Sequence, residues 1–101
     1  IWMDTALALD SHGRPHIAYL DLVHPYAELR YAWFDGFDWQ VETVEAVSAS
    51  GQRPEGVSLT LDSADQPHIS YYIVGTNELK YATKALRPLP MQAHLPLIVC
   101  N

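Results

Sequence analysis

The residues of this chain best suited to chemistry are two histidines, each directly after a proline. His16 closes on Ile17-Ala18-Tyr19 after Leu9-Asp10-Ser11-His12-Gly13-Arg14-Pro15, and His68 closes on Ile69-Ser70-Tyr71 after Leu61-Asp62-Ser63-Ala64-Asp65-Gln66-Pro67. An imidazole in a fixed setting can serve as a general base, a metal ligand or a hydrogen-bonding group. One reading makes each histidine a base or ligand repeated from unit to unit. The other makes it a structural group that bonds the Asp10 or Asp62 carboxylate ending the strand before it and so fixes a corner. The second is favoured, because a residue kept in every repeat serves what every repeat must do, which is pack.

The other candidate groups divide the same way. Tyr19 and Tyr71, and likewise Tyr31 and Tyr81, are placed to stack on a sugar, yet aromatic residues alternating with polar ones are also what packed sheets need. Asp10, Asp21, Asp35, Asp38, Asp62 and Asp65 fall mostly at turns, where carboxylates cap local amides. Calcium needs more converging oxygens than Asp-Ser-His-Gly or Asp-Ser-Ala-Asp supplies. Glycoside hydrolysis of the sialidase type asks for a carboxylate pair, clustered arginines and a tyrosine nucleophile, but Arg14, Arg30, Arg53 and Arg87 are scattered. No nucleophile elbow, phosphate-cradling loop or metal-binding histidine pair is present, and the single Cys100 has no partner in the chain. No catalytic residue, metal or cofactor is expected.

Composition narrows the class further. The chain has 101 residues, 49% of them hydrophobic and 18% charged, which is the balance of a globular protein. A formal charge of −6 with no basic cluster argues against a nucleic-acid partner. No apolar run reaches the roughly 18 residues needed to span a bilayer as a helix.

The elements that would position these side chains follow from the repeat itself. Leu61 lies 52 positions after Leu9, and Leu79-Lys80-Tyr81-Ala82 lies 50 positions after Leu29-Arg30-Tyr31-Ala32. Such a period marks units that cannot bury their own faces alone. Thr5 to Leu9, the run from His16, Glu28 to Phe34, and Trp39 to Val44 all alternate with the two-residue period of strands. Between them lie the Asp10–Gly13 turn, a Leu22–Ala27 loop and an Asp35-Gly36 turn of type I′. Ala46 to Gly56 reads as a connector. Val57 to Asp62, His68 to Val74 and Glu78 to Thr83 repeat the first three strands, with Val74 to Asn77 as a shorter loop. After Ala85 the pattern stops in a proline-broken tail ending His94-Leu95-Pro96-Leu97-Ile98-Val99-Cys100-Asn101. The second unit's fourth strand is therefore expected to be missing, displaced into the tail or supplied by another chain, and Pro96 restricts the tail to a sheet edge.

Leu-Asp-Ser-x-x-x-Pro-His-Ile-x-Tyr, then Leu-(Arg/Lys)-Tyr-Ala, then Asp-Gly-x-x-Trp resembles the repeat of bacterial extracellular β-propellers of the sialidase-like and lectin-like kind. The resemblance implies an all-β chain of two consecutive four-stranded antiparallel blades, the second incomplete, forming part of a larger propeller. Residues 1–4 are an unassigned stump, 5–50 the first blade, 51–84 the second, and 85–101 the tail. Asp10, Pro15, His16, Tyr19, Tyr31, Asp62, Pro67, His68, Tyr71 and Tyr81 are its structural signature. It further implies a secreted or surface location. Two blades do not close a ring, so the remaining blades of a longer chain, or copies of this one, are the expected partners. Function should lie where the units differ: the Leu22–Tyr26 segment, with His24 and Tyr26, and Phe37. The expected role is non-catalytic binding of protein or glycan through loops. The alternatives are a piece of a sialidase-like glycan-processing propeller whose catalytic residues lie outside this chain, and a pure scaffold.

Overall fold

The computed structural model describes residues 4–48 and 51–84, and the backbone of Leu97–Cys100. Trp2, Arg87 and the proline-broken stretch 85–96 lie outside the described residues. Eight strands are described: β1 (Thr5–Leu9), β2 (Pro15–Val23), β3 (Tyr26–Phe34), β4 (Trp39–Ser48), β5 (Arg53–Leu61), β6 (Pro67–Val74), β7 (Glu78–Thr83) and β8 (Leu97–Cys100). They form two antiparallel sheets, β1-β2-β3-β4 and β5-β6-β7-β8, each open and in sequence order. The chain is all-β, with no helix among the described residues.

Local chemistry explains where the strands depart from expectation. The expected Leu22–Ala27 loop is mostly strand: Val23 pairs with Tyr26 across a turn of two residues, His24 and Pro25, joined by a cis peptide. The apolar pattern simply runs on into the hairpin. At the next hairpin the turn is not type I′, because of its two central residues only Gly36 has positive φ. The loop spans Asp35–Asp38, with the Asp35 carboxylate accepting the amide hydrogens of Phe37 at 2.8 Å and Asp38 at 2.9 Å. That side-chain cap stands in for the tight turn. The expected connector is shorter too, since β4 continues to Ser48 and β5 begins at Arg53, its register shifting between Glu55 and Ser58 around Gly56. The second sheet's fourth strand is the displaced one: Leu97–Cys100 pairs antiparallel with β7, Leu79 opposite Cys100.

Each sheet has a front and a back face. The front carries His16, Ala18 and Tyr31 in the first sheet and, at matching register, His68, Ser70 and Tyr81 in the second. The back carries Ile17 and Tyr19, or Ile69 and Tyr71. The core is one cluster in which front residues Ala18, Leu29 and Tyr31, with Val44, meet back residues Ile69, Tyr71, Ile73 and Ala82. The sheets thus pack front to back. Burial inverts accordingly between matching positions: Ala18 is buried and Ser70 exposed, while Tyr19 is half-buried and Tyr71 buried. In β1 the odd residues are exposed; in β5 the even ones between Gly56 and Thr60 are.

Polar ties join the two sheets. Glu45 accepts the Tyr71 hydroxyl at 2.6 Å and pairs with the Lys80 ammonium at 2.7 Å. Lys84 stands 4.1 Å above the Trp33 ring and 3.2 Å from Glu42. At one edge the Asp4 carboxylate accepts the Gly56 amide, and at the turns Asp65 accepts both the amide and the hydroxyl of Ser11.

Candidate functional site

The turn before each second strand is built by its aspartate. Asp10 Oδ1 accepts the amides of His12 and Arg14, at 2.8 and 2.9 Å, and Asp62 Oδ1 does the same for Ala64 and Gln66. That leaves Oδ2 facing the sheet. His16 Nε2 lies 2.9 Å from Asp10 Oδ2, and His16 Nδ1 lies 2.6 Å from the Tyr31 hydroxyl. A carboxylate only accepts, so Nε2–H donates to it, and in the neutral ring Nδ1 accepts the tyrosine O–H. The second sheet holds the same chain, Asp62–His68–Tyr81, at 2.9 and 2.5 Å.

An Asp–His–Tyr chain is a relay in form, and its surroundings decide its use. In the first sheet His16 is 4% and Tyr31 2% exposed, beneath the second sheet. Burial first, then the nearby Glu42 and Asp10 charges, push the Tyr31 phenol well above its ordinary value, the opposite of an activated nucleophile. In the second sheet His68 and Tyr81 are half-buried and border a concavity of about 270 Å³ with Ser58, Thr60 and Ser70. Pro15 and Pro67 start β2 and β6 opposite Leu9 and Leu61, fixing the approach to both histidines.

The Asp10 carboxyl is lowered from 3.8 to about 2, chiefly by the bond to His16 and then by the Arg14 amide. Asp62 moves the same way for the same reasons. A depressed carboxylate stabilises the fold above its unfolded value, and that stabilisation is lost as pH falls through the folded value. Resistance to urea should therefore decline as pH drops from about 3.8 toward 2. In Asp10→Asn, that decline is expected to be shallower, and urea midpoints across this range would show it; an unchanged profile would contradict the assignment.

Three groups at the turn edge, Asp10, His12 and Asp65, bring one donor atom each within 4.8 Å of one another. Their oxygens are largely committed: Asp10 to His12, Arg14 and His16, and Asp65 to Ser11.

The expected ligand residues do not come together. His24 and Tyr26 lie at the β2–β3 turn, beside exposed Leu22 and Val23, whereas Phe37, 89% exposed, lies on the β3–β4 loop. The nine residues of β3 separate those ends by roughly 26 Å. Arg14 reaches the Asp35 carbonyl at 3.1 Å, Arg30 is held by Glu28 and Asp21, and Arg53 by Glu55, so these three form no cluster. Sequence reasoning missed Glu42, Glu45, Lys80 and Lys84, the cross-sheet ties. No family model, curated protein or solved structure matches the chain.

Proposed function

We propose that this chain is a non-catalytic binding and interaction module, two blades of a β-propeller-type assembly, working outside the cell and engaging protein or glycan at its sheet ends. The observation that carries this reading is the use of the Asp10–His16–Tyr31 chain, whose every polar atom is turned to neighbours inside the fold. The side chains left exposed at the β2–β3 turn are Leu22, Val23, His24, Pro25 and Tyr26, with Tyr26 half exposed. An aromatic face with a hydroxyl tip, next to an imidazole, suits a sugar ring or a protein side chain. The scattered arginines give the glycan-processing alternative no support. The remaining blades of a longer chain, or copies of this one, are the structural partners under this reading.

Glycan and peptide arrays probed with the wild-type chain, Tyr26→Ala and Phe37→Ala test it. Tyr26→Ala is expected to weaken a bound ligand roughly 30-fold, the value of a ~2 kcal/mol hot spot, with melting unchanged and Phe37→Ala binding as wild type. Ligands indifferent to Tyr26, or a glycan turned over by the chain and spared by His68→Ala, would contradict it.

A further inference from the structure

We propose that a second copy of this chain docks head to tail, laying the back of its first sheet on the open front of this chain's second sheet. The occupant is read from the interface already formed inside the molecule. There the first sheet's front offers small residues, Ala6, Ala8 and Ala18, framed by His16 and Tyr31, and β5 lies across β1, β2 and β3 with Val57 and Leu59 against the core. On the second sheet the matching front positions are again small, Ser58, Thr60 and Ser70, framed by His68 and Tyr81. Here they line a concavity of about 270 Å³, and Ser58, Thr60 and Ser70 are exposed.

The surface that would fill it is also on the molecule. Val57, Leu59 and Leu61 of β5 match Thr5, Leu7 and Leu9 of β1, as their pairing shows: Leu59 opposes Ile69 and Leu7 opposes Ile17. Leu7 and Leu9 stand 64% and 63% exposed, beside half-buried Ile17 and Tyr19. Each free face is thus one half of a contact the chain makes with itself, and the two halves are different surfaces. Such a contact is heterologous: it propagates from copy to copy instead of closing as a two-fold pair. One substitution weakens it relative to the internal contact. Asp21 stands where Ile73 is buried, and it pairs with Arg30, which matches Lys80. Association should therefore be concentration-dependent.

This proposal rests on the assembly part of the function proposed above, in which copies of the chain are structural partners, and does not use the β2–β3 turn, so it can fail while ligand binding there stands. Sedimentation of the full chain is compared with Leu7→Lys, which blocks the back, and Ser70→Arg, which blocks the front; circular dichroism checks that both fold. Wild type is expected to exceed one protomer mass as concentration rises, and each variant alone to remain at one. An equimolar mixture of the two variants should form two-protomer particles and nothing larger, since only one pair of intact faces remains. A wild type that stays monomeric overturns the proposal, as does either variant still self-associating, or a mixture that does not pair. A monomer destabilised by Ser70→Arg alone would assign the face to a segment of the same chain, and also overturns it.

Discussion

Replacing Glu45 by alanine is expected to destabilise the protein by about 3 kcal/mol, at the lower end for breaking a buried ion pair. The carboxylate joins the sheets through two partners at once, the Tyr71 hydroxyl and the Lys80 ammonium, and the pair's side chains are only 13% and 15% exposed. Removing it leaves the ammonium half-stranded between packed sheets and a phenol that burial and the same carboxylate have already pushed upward in pKa. The melting temperature should fall by roughly 10–20 °C for a domain of this size. Tyr71→Phe removes one hydrogen bond and should cost about 1 kcal/mol. In Glu45→Ala, adding Lys80→Met should recover part of the loss, because no charge is then left unpaired. Urea unfolding of the four proteins forms the test; a Glu45→Ala midpoint at the wild-type value would show that the sheets do not depend on this tie.

That tie also shows what the sequence concealed. The strands were legible because Thr5 to Leu9 alternates and Leu79-Lys80-Tyr81-Ala82 repeats Leu29-Arg30-Tyr31-Ala32, and the bounds Thr5–Leu9 and Glu78–Thr83 are the observed ones. Glu42 and Glu45 were not, since an odd spacing puts two strand residues on opposite faces. The register shift beside Leu29 and Arg30 breaks that parity: Glu42 opposes Tyr31 and Glu45 opposes Leu29, both front residues. A bulge is a tertiary event that alternation alone does not announce. The candidate site was legible in part. Asp10 to His16 and Asp62 to His68 were readable as corner ties, but the tyrosines completing them, Tyr31 and Tyr81, come from the next strand and could be placed only by the pairing register. Phe37 stands apart from His24 and Tyr26 because the two ends of β3 lie a strand length from each other.

The second large effect concerns the two histidines, identical in bonding and different in cover. His16→Ala is expected to cost about 3 kcal/mol, combining the imidazole cavity with a Tyr31 hydroxyl left buried without an acceptor. His68→Ala should cost only about 1 kcal/mol, since the half-buried Tyr81 can turn to water. A catalytic role for these residues predicts no such ordering of stabilities. Urea midpoints for the two variants decide it: equal losses, or a larger loss at His68, would contradict the packing assigned to the sheets.

Two matching stretches of sequence bury opposite faces. Thiol labelling tests this in a Cys100→Ser background and at dilute protein, with one cysteine introduced at either matching front position. Ser70→Cys is predicted to react at the rate of a free thiol, whereas Ala18→Cys, at a site with 0% exposure, should react only through unfolding and slow further in stabilising conditions. Equal rates at the two positions would contradict the front-to-back packing on which the functional reading rests.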